Sequence, residues 1–314
     1  MKICVNLKVS YFWHMDFGKL QDISRVDFRL PASKQANEAV LSKFPSQTLQ
    51  VWVGLPVWSQ KEWVGKIYPP KAQSKDFLKY YAEQFNSIEL NTTHYRIPDK
   101  ATIELWKKQV NKDFHFCPKF PQPISHEKML QNCQNLVTEF CEAISGLEEN
   151  LGLSFLQLPP YFELKHLPIL ENFLAEFPVD IPLAVEFRHA SWFKEENFEK
   201  AAQVLERYNK STVITDVAGR RDVLHQRITN SALMVRFVGN GLHPTDYSRL
   251  DEWIWQIGEW QKQGLQRIYF FLHEPDNILA PEIALYFIEK LNLTCKTNLL
   301  LPKFFDKNIQ MKLF

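Results

Sequence analysis

From residue 51 onward, short runs of β-branched and aromatic residues recur between stretches of helical periodicity. Eight such runs stand out: Val51-Trp52-Val53-Gly54, Ser87-Ile88-Glu89-Leu90-Asn91, Phe114-His115-Phe116-Cys117, Leu153-Ser154-Phe155-Leu156-Gln157, Leu183-Ala184-Val185-Glu186, Thr212-Val213-Ile214-Thr215-Asp216, Leu233-Met234-Val235-Arg236 and Ile268-Tyr269-Phe270-Phe271-Leu272. Most are almost continuously apolar, the pattern of a parallel sheet covered on both faces. The intervening segments carry helix start signals, such as Ser74 before Phe77, Leu78, Tyr81 and Phe85, and Asp99 before Ile103, Trp106 and Val110. Longer helical patterns cover residues 127–145, 192–208 and 247–263, and Pro281 opens a last helix through Leu291.

Eightfold alternation of strand and helix predicts one α/β domain, a (β/α)8 TIM barrel over residues 51–314, close to the roughly 250 residues of eight βα units. No low-complexity linker divides it. A doubly wound open sheet fits less well, because the units are evenly spaced and no G-x-G-x-x-G follows the first strand. For the same reason no nucleotide cofactor is expected. Residues 1–50, in which Pro31 and Pro45 bracket one short helix pattern, read as an N-terminal extension around the barrel's outside or over its N-terminal end. Residues 1–14 read as lying upstream of a natural start at Met15.

Composition narrows the function classes. With 45% hydrophobic and 23% charged residues and a net charge of +1, the chain is ordinary globular material without a polybasic arm. A local basic groove, and with it a nucleic-acid partner, stays open, as does a small polar or anionic ligand. No run approaches the ~20 apolar residues of a membrane span, so no membrane partner is expected. The five cysteines, Cys4, Cys117, Cys133, Cys141 and Cys295, lie far apart with no C-x-x-C pair. That spacing argues against disulfides and structural zinc and for a reduced, cytoplasmic protein. Nothing in the sequence speaks to oligomeric state.

The C-terminal strand ends of such a barrel form its active face. Alternation along the second strand turns Glu89 and Asn91 inward, and along the fifth it turns Glu186 and Arg188 inward. The other strands end in Lys119, Gln157, Asp216, Arg236 and the His273-Glu274 pair. Burying so many polar groups is costly unless they pair with one another or with a ligand. The architectural alternative is that Glu89, Glu186 and Asp216 simply neutralise Lys119, Arg188 and Arg236.

The segments WSQKEWVGKIYPP (residues 58–70), NSIELNTTHYRIP (86–98), FHFCPKFPQPISH (114–126) and AVEFRHASWF (184–193) resemble the signature blocks of the domain of unknown function 72 family, also called YecE-like. They fall in order, and the resemblance covers about residues 15 to 300. It implies a (β/α)8 barrel and carries no reaction with it. Two loops depart from the family pattern: Gly54-Leu55-Pro56-Val57-Trp58 replaces Gly-Thr-Ser-Gly-Trp, and His273-Glu274-Pro275-Asp276-Asn277 replaces an Asn-rich turn.

Within this frame Glu186, Glu89, His189, Asp216 and Lys119 are the candidate catalytic groups: carboxylates and histidine for acid/base work, and Lys119 as a desolvated base or Schiff-base amine. Set against these roles stand a helix-start cap for His189 and a counter-ion to Glu89 for Lys119. Asn91, Tyr95, Arg96, Gln157, Arg188, Arg220, Arg221, Arg236, Trp58 and His126 are the candidate substrate contacts. Against them stand local ion pairs for the arginines, aromatic packing for Trp58 and a capping role for His126. A divalent metal would draw on Glu186, Asp216, His273 and Glu274, with Glu89 beside them, although no H-E-x-x-H spacing is present.

The favoured function is an enzyme using carboxylate acid/base chemistry, metal-assisted or metal-free, for hydrolysis or isomerisation of a sugar- or phosphate-containing substrate. In the metal-free form Glu89 and Glu186 project from opposite strands, and a wide gap between them suits inverting glycoside hydrolysis. Serine-triad chemistry is disfavoured because no G-x-S-x-G elbow occurs. The alternative is a non-enzymatic binder in which Arg96, Arg188, Arg220 and Arg236 hold an anionic metabolite or a nucleic-acid backbone.

Overall fold

The computed structural model describes residues 18–45, 47–194 and 196–305; the expected start at Met15 and Cys4 lie outside them. Eight parallel strands form a nearly closed barrel: β1 (Gln50–Leu55), β2 (Ser87–Leu90), β3 (His115–Pro118), β4 (Ser154–Gln157), β5 (Leu183–Glu186), β6 (Ser211–Asp216), β7 (Ala232–Val238) and β8 (Arg267–His273). They pair in the order β3-β2-β1-β8-β7-β6-β5-β4. The remaining seam, between β3 and β4, is held by bridges from Phe116 to Leu151 and from Lys119 to Phe155. Across it the Gly152 N–H donates to the Phe116 carbonyl at 2.8 Å and the Phe120 N–H to the Phe155 carbonyl at 2.9 Å. A side chain at Gly54 would put its Cβ 2.2 Å from the Ser87 carbonyl oxygen, so glycine there is what lets β1 approach β2.

The helices are α1 (Ala36–Leu41), α2 (Phe77–Ala82), α3 (Lys100–Gln109), α4 (Gln134–Ser145), α5 (Leu167–Glu176), α6 (Asn197–Arg207), α7 (Pro244–Gln263) and α8 (Ala280–Cys295). Asp99 caps α3 as its position predicts, accepting from the Thr102 N–H at 2.8 Å. The single helix read over residues 127–145 is corrected to a π-helical turn, Pro123–Glu127, followed by α4. Between them Met129, Leu130 and Asn132 have φ of 47, 65 and 49°, values a right-handed helix does not accommodate. The pattern over 192–208 likewise divides into a 3-10 turn, Ala190–Phe193, and α6.

The regular alternation also fails once. After β6 the chain makes a 3-10 turn, Ala218–Val223, and then runs without regular structure to β7. The N-terminal segment covers this place instead. The Asn37 amide, 1% exposed, donates to the Gln226 carbonyl at 2.5 Å and accepts from the Ile228 N–H at 2.9 Å. Arg221 reaches the Phe28 and Arg29 carbonyls at 2.8 and 3.1 Å. On α7, Glu252 accepts from the Leu30 N–H at 3.0 Å and Trp260 donates to the Ser33 hydroxyl at 3.1 Å.

Two apolar layers result. A large one lies between sheet and helices, and a small one fills the barrel's middle with Cys117, Leu153, Phe155, Ala184, Val213, Met234, Tyr269 and Phe271. Cys117, Cys133, Cys141 and Cys295 are buried free thiols. Among the described residues no helix is long and apolar enough to cross a membrane.

Replacing Asn37 with alanine strands a buried donor and a buried acceptor in the connection after β6. We expect Asn37→Ala to lower unfolding free energy by roughly 1–3 kcal/mol in urea titration; an unchanged midpoint would show that the segment adds nothing to the barrel's stability.

Candidate functional site

The middle layer sets the parity of every strand. Since Ser87, Cys117, Phe155, Ala184, Val213, Met234 and Phe271 stand on the inner side, the residues two positions later stand there too, one layer nearer the C-terminal mouth. Those residues are Glu89, Lys119, Gln157, Glu186, Thr215, Arg236 and His273. The mouth is therefore polar by the same alternation that makes the layer below it apolar.

Arg236 organises this layer. Its Nε and Nη2 donate to Glu89 at 2.9 and 2.8 Å, while Nη1 donates to Glu186 at 2.9 Å. Glu186 also accepts from Arg188 Nε at 2.8 Å and from Gln157 at 2.9 Å. Asn91 donates to Glu89 at 2.9 Å, and His273 Nε2 lies 2.9 Å from the other Glu89 oxygen. Both carboxylates are buried, which alone would raise their pKa values. Arg236 and His273 outweigh that for Glu89 and hold it well below the usual range, and Arg188 and Arg236 bring Glu186 to about 2. The two acids are thus permanently ionised near neutrality. They are joined through one guanidinium, so the open gap expected of an inverting glycosidase is occupied by Arg236.

Lys119 is different. Its amine makes no hydrogen bond or ion pair among the described residues, and the side chain keeps some contact with solvent. Burial, reinforced by Arg236 and Arg188, lowers its pKa to about 7. Two imidazoles stand beside it, His94 and His126, with ring centroids 5.1 Å apart. Burial first and Lys119 second bring both to about 4, so both are neutral. The Phe120 carbonyl, 2.7 Å from His94 Nδ1, can only accept, which places the His94 proton on Nδ1 and leaves Nε2 as an acceptor. Thr215 Oγ1 is buried in the same layer with no partner.

His94 and Thr215 were not singled out by the sequence. His94 sits between Thr93 and Tyr95 in a turn, Asn91–His94, where no periodicity marks an inward position. Thr215 was legible in principle, through the parity of Val213.

Several expected residues lie elsewhere. Asp216 points outward, the alternate of Thr215, and is enclosed by Arg249 at 2.7 Å, Trp253 at 2.8 Å and Arg221. Glu274 also points outward, accepting from the Gly241 N–H at 2.8 Å, and burial raises it to about 7. The metal set of Glu186, Asp216, His273 and Glu274 therefore does not assemble, and no other cluster of metal-ligating side chains occurs among the described residues. His189 accepts from the Ser191 N–H at 3.1 Å and caps the turn after β5. Arg220 binds the Arg188 carbonyl at 2.7 Å and pairs with Asp222, Tyr95 and Arg96 are exposed, and Trp58 packs edge-on against Trp106. Of the four arginines of the anion-binding alternative, Arg188 lies beside Arg236 and Arg220, and Arg96 is exposed after β2.

The sequence profile of the family described as "Protein of unknown function DUF72" matches residues 52–305. The UPF0759 protein YecE of Escherichia coli (strain K12) is 32% identical over 263 residues, 78% of this chain and 93% of that protein. The UPF0759 protein YunF of Bacillus subtilis (strain 168) is 27% identical over 162 residues, 48% of this chain and 55% of that protein. Two crystallised DUF72 family proteins superimpose on the barrel. That of Thermotoga maritima has a TM-score of 0.62 at 26% identity over 77% of this chain and 99% of its own. That of Enterococcus faecalis has 0.61 at 21% over 81% and 99%.

Arg236→Met leaves two buried carboxylates facing each other, a change expected to cost ~3–5 kcal/mol at pH 7. In the wild type the depressed carboxylates contribute stability that is fully present above an unfolded-state pKa of about 4.5 and is lost as pH falls toward 2. In the variant the sign reverses, so the deficit should shrink between pH 7 and pH 4.5 as the unpaired acids take up protons. Urea unfolding across that range checks this; a deficit independent of pH would mean that Arg236 acts through packing alone.

Proposed function

The chain belongs to the DUF72 family, and on that footing we propose that it is an enzyme whose acid/base chemistry is carried by the Lys119 amine at the C-terminal mouth of the barrel. The observation that carries this reading is the amine itself: unpaired among the described residues, beside two neutral imidazoles that touch each other, with a pKa of about 7. A base of that pKa takes up and returns a proton at neutral pH with little energetic bias, which is what proton transfer within one substrate requires. Glu89 and Glu186 serve this chemistry as fixed charges. They hold Arg236 and Arg188 in place, and remain too acidic to donate or accept protons near pH 7.

Charge at Lys119 selects the substrate class. Each protonation of Lys119 adds a positive charge beside Arg236 and Arg188. A small polar substrate with an anionic group, a sugar phosphate or a hydroxy acid, complements that state. The Thr215 hydroxyl, otherwise unpartnered, supports a hydroxyl-bearing ligand in the same layer. Isomerisation by proton abstraction next to a carbonyl fits these parts better than hydrolysis, because no carboxylic acid is available to protonate a leaving group.

Two measurements test this. Trace acetylation followed by peptide mass spectrometry should give Lys119 a titration midpoint near pH 7, against roughly 10.4 for ordinary lysines; a midpoint near 10 sinks the proposal. Incubation in D2O with a panel of sugar phosphates and hydroxy or keto acids should place solvent deuterium on carbon in at least one compound, with a ~10²–10⁴-fold loss in Lys119→Met. Stability supplies an independent sign. A lysine whose folded pKa is depressed costs stability below that pKa, and the cost is relieved as pH rises toward its unfolded value. Lys119→Met should therefore raise the melting temperature at pH 6 and leave it unchanged at pH 10.5.

A further inference from the structure

The opposite end of the barrel contains a space that the Lys119 chemistry does not use. A cavity of about 670 Å³ opens at the N-terminal ends of the strands, well within the ~300–1,000 Å³ of small-molecule sites. In a (β/α)8 barrel this end ordinarily serves stability, and layers of side chains fill the interior. Here the lowest layer is uneven in side-chain bulk. Trp52, His115 and Tyr269 present rings from β1, β3 and β8, whereas Ser211 and Ala232 present small side chains from β6 and β7.

The ring geometry is specific. Trp52 stacks on His115 at 4.2 Å and on Tyr269 at 4.7 Å between centroids, with interplanar angles of 14 and 9°. His115 and Tyr269 are only 5.8 Å apart, too close for rings on opposite faces of one indole. They therefore lie side by side on a single face of Trp52, joined by a 2.9 Å hydrogen bond between His115 Nδ1 and the Tyr269 hydroxyl. No further ring among the described residues stacks on the other face of Trp52, which is only partly buried. Burial, with Arg267 behind it, brings His115 down to about 4, so the assembly is uncharged at neutral pH.

The edge of the cavity is charged. Lys112, Lys210 and Arg267 face it, against Asp113 and Asp180. Lys210 is occupied by the Ile181 and Pro178 carbonyls at 3.3 and 3.5 Å, with Asp180 nearby. Arg267 is exposed next to His115 and Tyr269, and its guanidinium has no hydrogen bond or ion pair among the described residues. Two of the cavity's amides are committed to the fold: Asn86 binds the Val53 N–H and the Val51 carbonyl, and Asn230 accepts from Ser211. An aromatic surface with a guanidinium at its margin stands open to a ligand.

We propose that this N-terminal cavity is a second ligand site, which takes a planar aromatic anion packed against the Trp52 assembly with its carboxylate turned toward Arg267. Flat rings find a rigid stacking partner in Trp52, whose second face no further ring among the described residues covers, and space in the cavity that it lines. The anion finds Arg267 beside the rings, with Lys112 also on the cavity's edge, and neither makes an ion pair among the described residues. The site is independent of Lys119, which stands at the far end of the barrel.

The test is calorimetric titration of the full chain with 2-naphthoate at pH 7, beside its neutral counterpart 2-naphthalenemethanol. We expect sub-millimolar binding of the acid, tenfold or more weaker binding of the alcohol, and a loss of tenfold or more in Arg267→Gln, an exposed change that spares the core. Ala232→Leu, which adds bulk to the cavity's lining, should abolish binding while circular dichroism remains native, and Lys119→Met should bind as the wild type does. Absence of naphthoate binding up to its solubility limit overturns the proposal. So does binding that Arg267→Gln and Ala232→Leu both leave unchanged, and so does binding lost only in Lys119→Met, which would place the probe at the C-terminal mouth.

Discussion

The C-terminal half of this barrel is organised around one guanidinium. Arg236 spends all three of its nitrogens on two buried carboxylates that arrive from strands on either side of the barrel, Glu89 from β2 and Glu186 from β5. An apolar group in its place would leave Glu186 to Arg188 and Gln157, and Glu89 to His273 and Asn91, without the cation that joins them. Because each carboxylate brings further partners, the single residue fixes Arg188, Gln157, Asn91 and His273 as well. Five strands meet in that network, and its rigidity is what allows a neighbouring amine to be left unpaired without collapsing onto an acid.

That arrangement divides labour within the mouth. Groups with strongly stabilised charge states provide a fixed field, and the proposed chemistry falls to the group whose charge is weakly held. Lys119 lies at the seam between β3 and β4, where the ladder thins to isolated bridges. Its position there keeps it outside the Arg236 network while leaving it within that network's field. The carboxylates, which the residue types alone would cast as the reactive groups, are the scaffold.

Much of this was legible in the sequence, and the reasons for the misses are physical. Near-continuous apolar runs mark buried parallel strands regardless of fold details, so all eight strands are readable to within a residue or two. Glu89, Glu186, Arg188 and Arg236 are readable because alternation places them relative to clear inward neighbours. Asp216 was misassigned because the two faces of β6, Ser211-Val213-Thr215 and Thr212-Ile214-Asp216, look alike until one knows that Val213 belongs to the barrel interior. The direction of the pKa shifts was beyond the sequence altogether. It depends on which carboxylate meets which guanidinium across 147 and 50 residues of chain. The ring assembly at the other end was hidden for the same reason, since Trp52, His115 and Tyr269 belong to three separate strands.

The missing helix after β6 bears on how the chain is made. Asn37 is synthesised early, yet its partners at Gln226 and Ile228 lie 189 and 191 residues downstream. During translation the N-terminal segment emerges first and has nothing to dock on until β6 and the run after it have left the ribosome. The barrel's last uncovered flank is closed by its oldest residues, and the closing step carries the entropic cost of a very long loop. Order of synthesis and order of assembly are thus opposed in this protein, and its half-made chains carry an open sheet flank that chaperones are suited to shield.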